Sequence, residues 1–162
     1  MKRYASVTWT GTPREGEGRF RVGSGALDGP YTYDSRFVGN SQTNPEELLL
    51  SALAGCLTMA FAAALKEQGI GVGLLDTAAE LDLVPHPSGG YRIPDIQLEI
   101  VVTGVETQEE LDRAVARATE MCPICNALSG TVVHASARQA TVQAADQFTG
   151  GARNLRPTRA EP

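Results

Sequence analysis

Leu48–Leu65, LLLSALAGCLTMAFAAAL, runs for 18 residues without a charged side chain, and its reading decides that of the whole chain. That length just reaches the lower limit for a membrane span. The stretch is nevertheless rich in alanine, is bounded by Glu46-Glu47 and Lys66-Glu67, and has no cluster of Lys or Arg at either end. It stands alone in a chain that otherwise alternates like a soluble protein. A helix apolar on every side is one enclosed by protein. One small domain has difficulty enclosing so long a helix, so a second subunit is expected to cover it. The expectation is a soluble dimer built around this helix.

The flanks carry matching punctuation. Thr43 or Asn44 can cap the helix, Pro45 suits its first turn, and Glu46-Glu47 complement the dipole. Gly69 and Gly71 end it near Gln68. Upstream, Tyr4–Trp9, Arg19–Val22 and Pro30–Tyr33 read as strands between glycine-rich turns, with a polar loop from 39 to 43. Downstream, strands are expected around Thr77–Val84 and Asp95–Thr103, joined by a turn over 86–90. Thr107 and Glu110 form a capping box for a second helix, with Leu111, Ala114, Val115, Ala118 and Cys122 on one stripe. Pro123 interrupts it, a short third helix runs to Leu128, and a last strand spans 131–145. The order β-β-β-α-β-β-α-α-β is an α+β arrangement. Residues 1–146 are expected to form one domain and 147–162, with three arginines and two glycines, a mobile tail.

Bulk properties narrow the function. At 162 residues the chain has room for one ordinary domain. A net charge of −5 argues against nucleic acid or an anionic membrane as partner. The first 20 residues lack signal-peptide features, which points to the cytoplasm, where thiols stay reduced. Phosphate loops, Gly-x-Gly-x-x-Gly runs and clustered metal ligands are absent from the sequence, so no cofactor or metal is expected.

The chemistry then rests on three cysteines, Cys56, Cys122 and Cys125. Cys56 lies inside the apolar helix, where a lone thiol is ordinarily inert packing. Cys122 precedes Pro123 and so falls at the N-cap of a new helix, where free amides and the helix dipole favour a thiolate. Cys122-Pro123-Ile124-Cys125 is also a C-x-x-C motif. It follows a helix rather than a strand, unlike a thioredoxin-type site, and a zinc site would need two further ligands at suitable spacing, which the solitary His86 and His134 do not offer.

Ser35-Arg36-Phe37-Val38-Gly39, then Thr43-Asn44-Pro45-Glu46-Glu47-Leu48-Leu49, then Ala54-Gly55-Cys56 resemble the OsmC/Ohr family of peroxidases. So does Cys122-Pro123-Ile124-Cys125-Asn126-Ala127-Leu128, although the family usually has serine where this chain has Cys125. The first segments look more like the OsmC branch. The resemblance implies an intertwined α+β homodimer with a long buried central helix packed on an antiparallel sheet, and two active sites at the interface. By motif position, Cys56 matches the peroxidatic cysteine, Cys122 the resolving one, and Arg36 with Glu46 the charged pair that serves Cys56. It further implies a hydroperoxide substrate, a Cys56–Cys122 disulfide, and an external dithiol reductant, of lipoyl type among others. The departure at Cys125 leaves open which thiol resolves.

These roles make chemical sense. A thiol buried in an apolar helix needs a nearby cation to ionise, and arginine supplies a permanent one that a carboxylate can aim by a bidentate pair. Glu46 and Cys56 are ten residues apart on one helix, about 15 Å along its axis. Arg36 and Glu46 are therefore expected to act on the Cys56 of the other subunit. Leu53, Leu57, Phe61 and Phe37 either line a pocket for organic hydroperoxides or are core. Two other readings remain: a non-enzymatic dimeric redox or ligand-binding protein of the same fold, and a thiol–disulfide oxidoreductase using Cys122 and Cys125.

Overall fold

The computed structural model describes residues 1–39 and 42–140. Strands β1 (Ala5–Thr10), β2 (Glu17–Val22) and β3 (Asp28–Thr32) form an antiparallel meander in that order. Trp9 pairs across from Gly18 and packs on Tyr31, with ring centroids 5.3 Å apart. A side chain at position 18 would collide with the Tyr31 ring, so glycine is required there. Every residue of β1 is exposed, Val7 at 61%. The sheet packs chiefly on itself and on the short helix that follows it.

That helix, α1 (Tyr33–Phe37), is not foreseen by the sequence reading, which ends a strand at Tyr33 and begins a loop at Gly39. Thr32 and Ser35 close a capping box around its first turn, the Ser35 amide donating to Thr32 Oγ1 at 3.2 Å and the Thr32 amide to Ser35 Oγ at 3.0 Å. The usual sequence signal has Glu or Gln at the second position.

Helix α2 (Pro45–Glu67) starts and stops where its punctuation predicts. Asn44 is the cap, accepting from the Glu47 amide at 2.8 Å, while Thr43 donates its hydroxyl to the Glu47 carboxylate. Gln68 and the left-handed Gly69 end it. Although long and apolar enough to cross a membrane, α2 buries one face: Leu53, Leu57, Phe61, Ala64 and Leu65 form a stripe at helical spacing. The opposite face is uncovered within this chain, with Met59 77% exposed, so the helix is not enclosed by its own domain.

Strand β4 (Leu75–Leu81) follows, then the small hairpin of β5 (Val84–Pro85) and β6 (Tyr91–Arg92), so the single strand expected to reach Val84 is split in two. Strand β7 (Asp95–Val102) pairs antiparallel with β4. Helix α3 (Gln108–Met121) opens at the Thr107–Glu110 capping box, α4 (Pro123–Ala127) follows it, and β8 (Val132–Gln139) pairs with β7 in parallel. The sheet is thus mixed, which corrects the antiparallel expectation. The α3–α4 crossover returns the chain in the direction of β7, and such a crossover is what parallel neighbours require. Strand β8 ends at Gln139 within the described residues; the rest of the expected strand and the tail lie outside them.

Ile96, Leu98, Ile100 and Val102 project from one face of β7 into a layer formed by α2 and α3. The α+β architecture is a helical layer on this sheet. Leu53, Leu57 and Phe61 are fully buried here and belong to the core; Phe37 alone of the four is partly exposed.

Candidate active site

The burial stripes of two helices bring two of the cysteines together. Leu111, Ala114, Ala118 and Cys122 follow one face of α3 into the core, which leaves Cys122 with no exposed surface. Cys56 sits beside Leu57, on the shoulder of the α2 stripe, and is half-buried. Where α3 breaks at Pro123, the Cys122 and Cys56 sulfurs lie 3.1 Å apart, unbonded. Two residues further along α2, Thr58 Oγ1 is 2.6 Å from Thr77 Oγ1 of β4 and donates to the Ala54 carbonyl, which fixes the rotation of the helix.

The proton distribution over this cluster is uneven. Burial opposes ionisation of Cys122, but the Cys125 amide, the Cys56 thiol, the Cys125 thiol and the Ile124 amide all face its sulfur. Together they hold Cys122 below the ordinary thiol value. The Cys125 N–H reaches Cys122 Sγ at 3.4 Å, as the N-cap position predicts. Cys56 is pushed up, first by burial and then by sharing a proton with Cys122, with a partial offset from the Ile124 amide. Burial, then the proton shared with Cys122 and the charges of Cys122 and Cys56, push Cys125 up to about 12. Within one chain these surroundings favour ionisation of Cys122 and oppose that of Cys56.

Arg36 and Glu46 meet at the other end of α2. Arg36 donates from Nε (2.8 Å) and Nη2 (2.5 Å) to Glu46 Oε1 alone, rather than in the bidentate fork expected. Glu46 Oε2 is buried without a hydrogen-bond partner among the described residues. Asn44 joins α1 to α2 by donating to the Ser35 carbonyl at 3.2 Å, and the guanidinium lies over Phe37 at 5.2 Å from the ring centroid. Phe37 in turn packs on Tyr33 (4.6 Å) and Tyr91 (5.0 Å). The contribution of Tyr91 was invisible in sequence, since a hairpin folds it back across more than fifty residues. That of α1 was foreshadowed only by Thr32-x-x-Ser35.

The structure thus brings Cys56 to Cys122 and Arg36 to Glu46, with the two pairs at separate places along α2. His86, hydrogen-bonded to Ser88 at 2.6 Å, and His134 on β8 are both exposed and take no part.

An α+β scaffold that sets two free thiols in contact across a helix joint defines a dithiol protein. Residues 38–136 match the family described as OsmC-like protein, and the chain belongs to that family. It is 33% identical over 135 residues to peroxiredoxin OsmC of Escherichia coli (strain K12), covering 82% of this chain and 93% of that protein. It is 29% identical over 121 residues to the organic hydroperoxide resistance protein of Xanthomonas axonopodis pv. citri (strain 306), covering 72% and 82%. The solved organic hydroperoxide resistance protein OhrB of Bacillus subtilis superposes with a TM-score of 0.65 at 26% identity, covering 85% of this chain and 98% of that one.

Proposed function

We propose that this protein is a cysteine-based hydroperoxide reductase in which Cys56 attacks the peroxide and Cys122 resolves. The observation that carries the reading is the 3.1 Å contact of two unbonded sulfurs. A closure of about 1 Å brings them to the disulfide length of about 2.05 Å. The names of the relatives, a peroxiredoxin and organic hydroperoxide resistance proteins, support it.

The Cys56 thiolate attacks a peroxide oxygen, the O–O bond breaks, and the alcohol or water leaves with a proton, leaving a sulfenic acid. The Cys122 thiolate, already favoured by its surroundings, attacks that sulfur, and hydroxide leaves as water after taking up a proton. An external dithiol, of lipoyl type, reduces the disulfide and is itself oxidised. A cytoplasmic location suits a chain whose three cysteines are free.

The first step demands a cation, and among the described residues of one chain none acts on Cys56. Its own Arg36 is anchored ten residues away, about 15 Å along the α2 axis. A second copy of the chain supplies it, and the two uncovered apolar surfaces, the outer face of α2 and strand β1, give the homodimer its interface. In that assembly Arg36, aimed by Glu46, stabilises the Cys56 thiolate and holds the peroxide oxygen.

Cumene hydroperoxide with dihydrolipoamide tests the activity. The unaltered protein turns over and Cys56→Ser does not; turnover by Cys56→Ser overturns the reading. Mixed dimers of Arg36→Ala and Cys56→Ser chains regain activity that neither has alone, and failure of such mixtures to recover any refutes sharing of the site.

A further inference from the structure

The peroxidase cycle uses two thiols, yet three meet at the α2–α4 joint. Cys122 is the middle one. Cys56 lies against its sulfur at 3.1 Å, and Cys125, one turn along α4, directs its amide to the same sulfur at 3.4 Å. We propose that Cys125 is a relay thiol, which attacks Cys122 in the Cys56–Cys122 disulfide, releases Cys56, and stores the oxidising equivalent as a Cys122–Cys125 disulfide. This rests on the peroxidase reading above.

The step is an exchange with no outside oxidant. The Cys125 sulfur gives up its proton and forms a bond to Cys122 Sγ. The Cys56–Cys122 bond breaks, its electron pair leaves on Cys56, and the proton finishes on Cys56 or in solvent. The backbone permits the product: residues three apart on a helical turn have Cα atoms about 5 Å apart, inside the range of about 4.4–6.8 Å that disulfides span, and the two Cβ atoms need only close to about 4 Å.

Charge sets the order of events. While Cys122 is a thiolate, its charge adds to burial in keeping Cys125 protonated, so Cys125 is silent. Disulfide formation at Cys122 removes that charge and leaves burial alone to oppose ionisation of Cys125. The departing Cys56 thiolate is the one that Arg36 of the second copy stabilises, and a stabilised thiolate is the better leaving group. Access gives the exchange a purpose. Cys122 is fully enclosed, so an external dithiol has no path to its sulfur. Cys125 is partly exposed and its neighbours Pro123, Asn126 and Ala127 are exposed, which places the migrated disulfide on an open turn.

The experiment is peroxide stoichiometry without reductant, followed by non-reducing peptide mapping. Reduced protein titrated with cumene hydroperoxide in the presence of dimedone consumes two equivalents per chain. It then carries a Cys122–Cys125 disulfide and a dimedone adduct on Cys56. Cys125→Ser and Cys125→Ala consume one equivalent, end as Cys56–Cys122, and carry no adduct. Consumption of one equivalent by the unaltered protein, with Cys125 free and the disulfide confined to Cys56–Cys122, overturns the relay and leaves the peroxidase standing. A Cys122–Cys125 disulfide formed equally well by Cys56→Ser, or no consumption at all, overturns the peroxidase reading and the relay with it.

Discussion

At the N-terminal end of α2, Arg36 and Glu46 form an ion pair near the surface, with side-chain exposures of 39% and 12%. Further along the same helix, Cys56 and Cys122 meet beside residues with no exposed surface at all. The first assembly is held by charge and by local devices: a capping box, the Asn44 link and an aromatic ring under the guanidinium. The second is held by the core, because the positions of its sulfurs follow from the stripes that pack α2 on α3. An exposed ion pair contributes only about 0–1 kcal/mol to stability, so the charged end is built for a task other than holding the fold. The thiol end has the opposite deficiency, since it is fixed in place but, among the described residues, has no cation acting on Cys56 to favour its thiolate. Each region supplies what the other lacks, and a second copy can join them.

Variants break this comparison in order of size. Cys56→Ser removes peroxide turnover altogether, as measured by hydroperoxide consumption, while the melting temperature stays close to that of the unaltered protein. Arg36→Ala lowers kcat/KM by about 10²–10³-fold, the usual cost of deleting a preorganised donor from a reacting centre, again with little change in melting; a comparable loss of stability would show the pair to be structural. Phe61→Ala does the reverse. It lowers unfolding free energy by about 3–5 kcal/mol in denaturant titrations, because the thiol end stands on the core.

Smaller effects sharpen the same contrast. Glu46→Gln weakens the aiming of Arg36 by roughly 1.5–3 kcal/mol, the worth of a hydrogen bond to a charged group, seen as a ten- to hundredfold loss in kcat/KM. The least effect is on alkaline stability. Cys125 holds its proton more tightly when folded, up to about 12. Its contribution is therefore complete below the ordinary thiol value and is lost as pH rises from roughly 9 toward 12. Under reducing conditions Cys125→Ala should show a shallower decline over that window than the unaltered protein; equal slopes would mean that the thiol is not held in this way.

The bounds of α2, the start of α3 and the cap at Cys122 were written in the sequence alone. Asn44, Pro45, Gly69, Thr107, Glu110 and Pro123 act on amides within a few residues of themselves, so no distant part of the chain is needed to read them. The motifs around Arg36, Cys56 and Cys122 likewise singled out residues that the structure sets in two pairs, Arg36 with Glu46 and Cys56 with Cys122. Tertiary structure decided the rest. It set β8 parallel to β7, turned Leu53, Leu57 and Phe61 into core, left one face of α2 bare, and folded Tyr91 back onto Phe37. It also decided that the surroundings of Cys122 favour its ionisation within one chain while those of Cys56 oppose it. Periodicity says which residues share a face but not which partner meets that face. The pairing depends on packing between elements far apart in sequence, and the ionisation of each thiol depends on burial and donors that only this packing assembles.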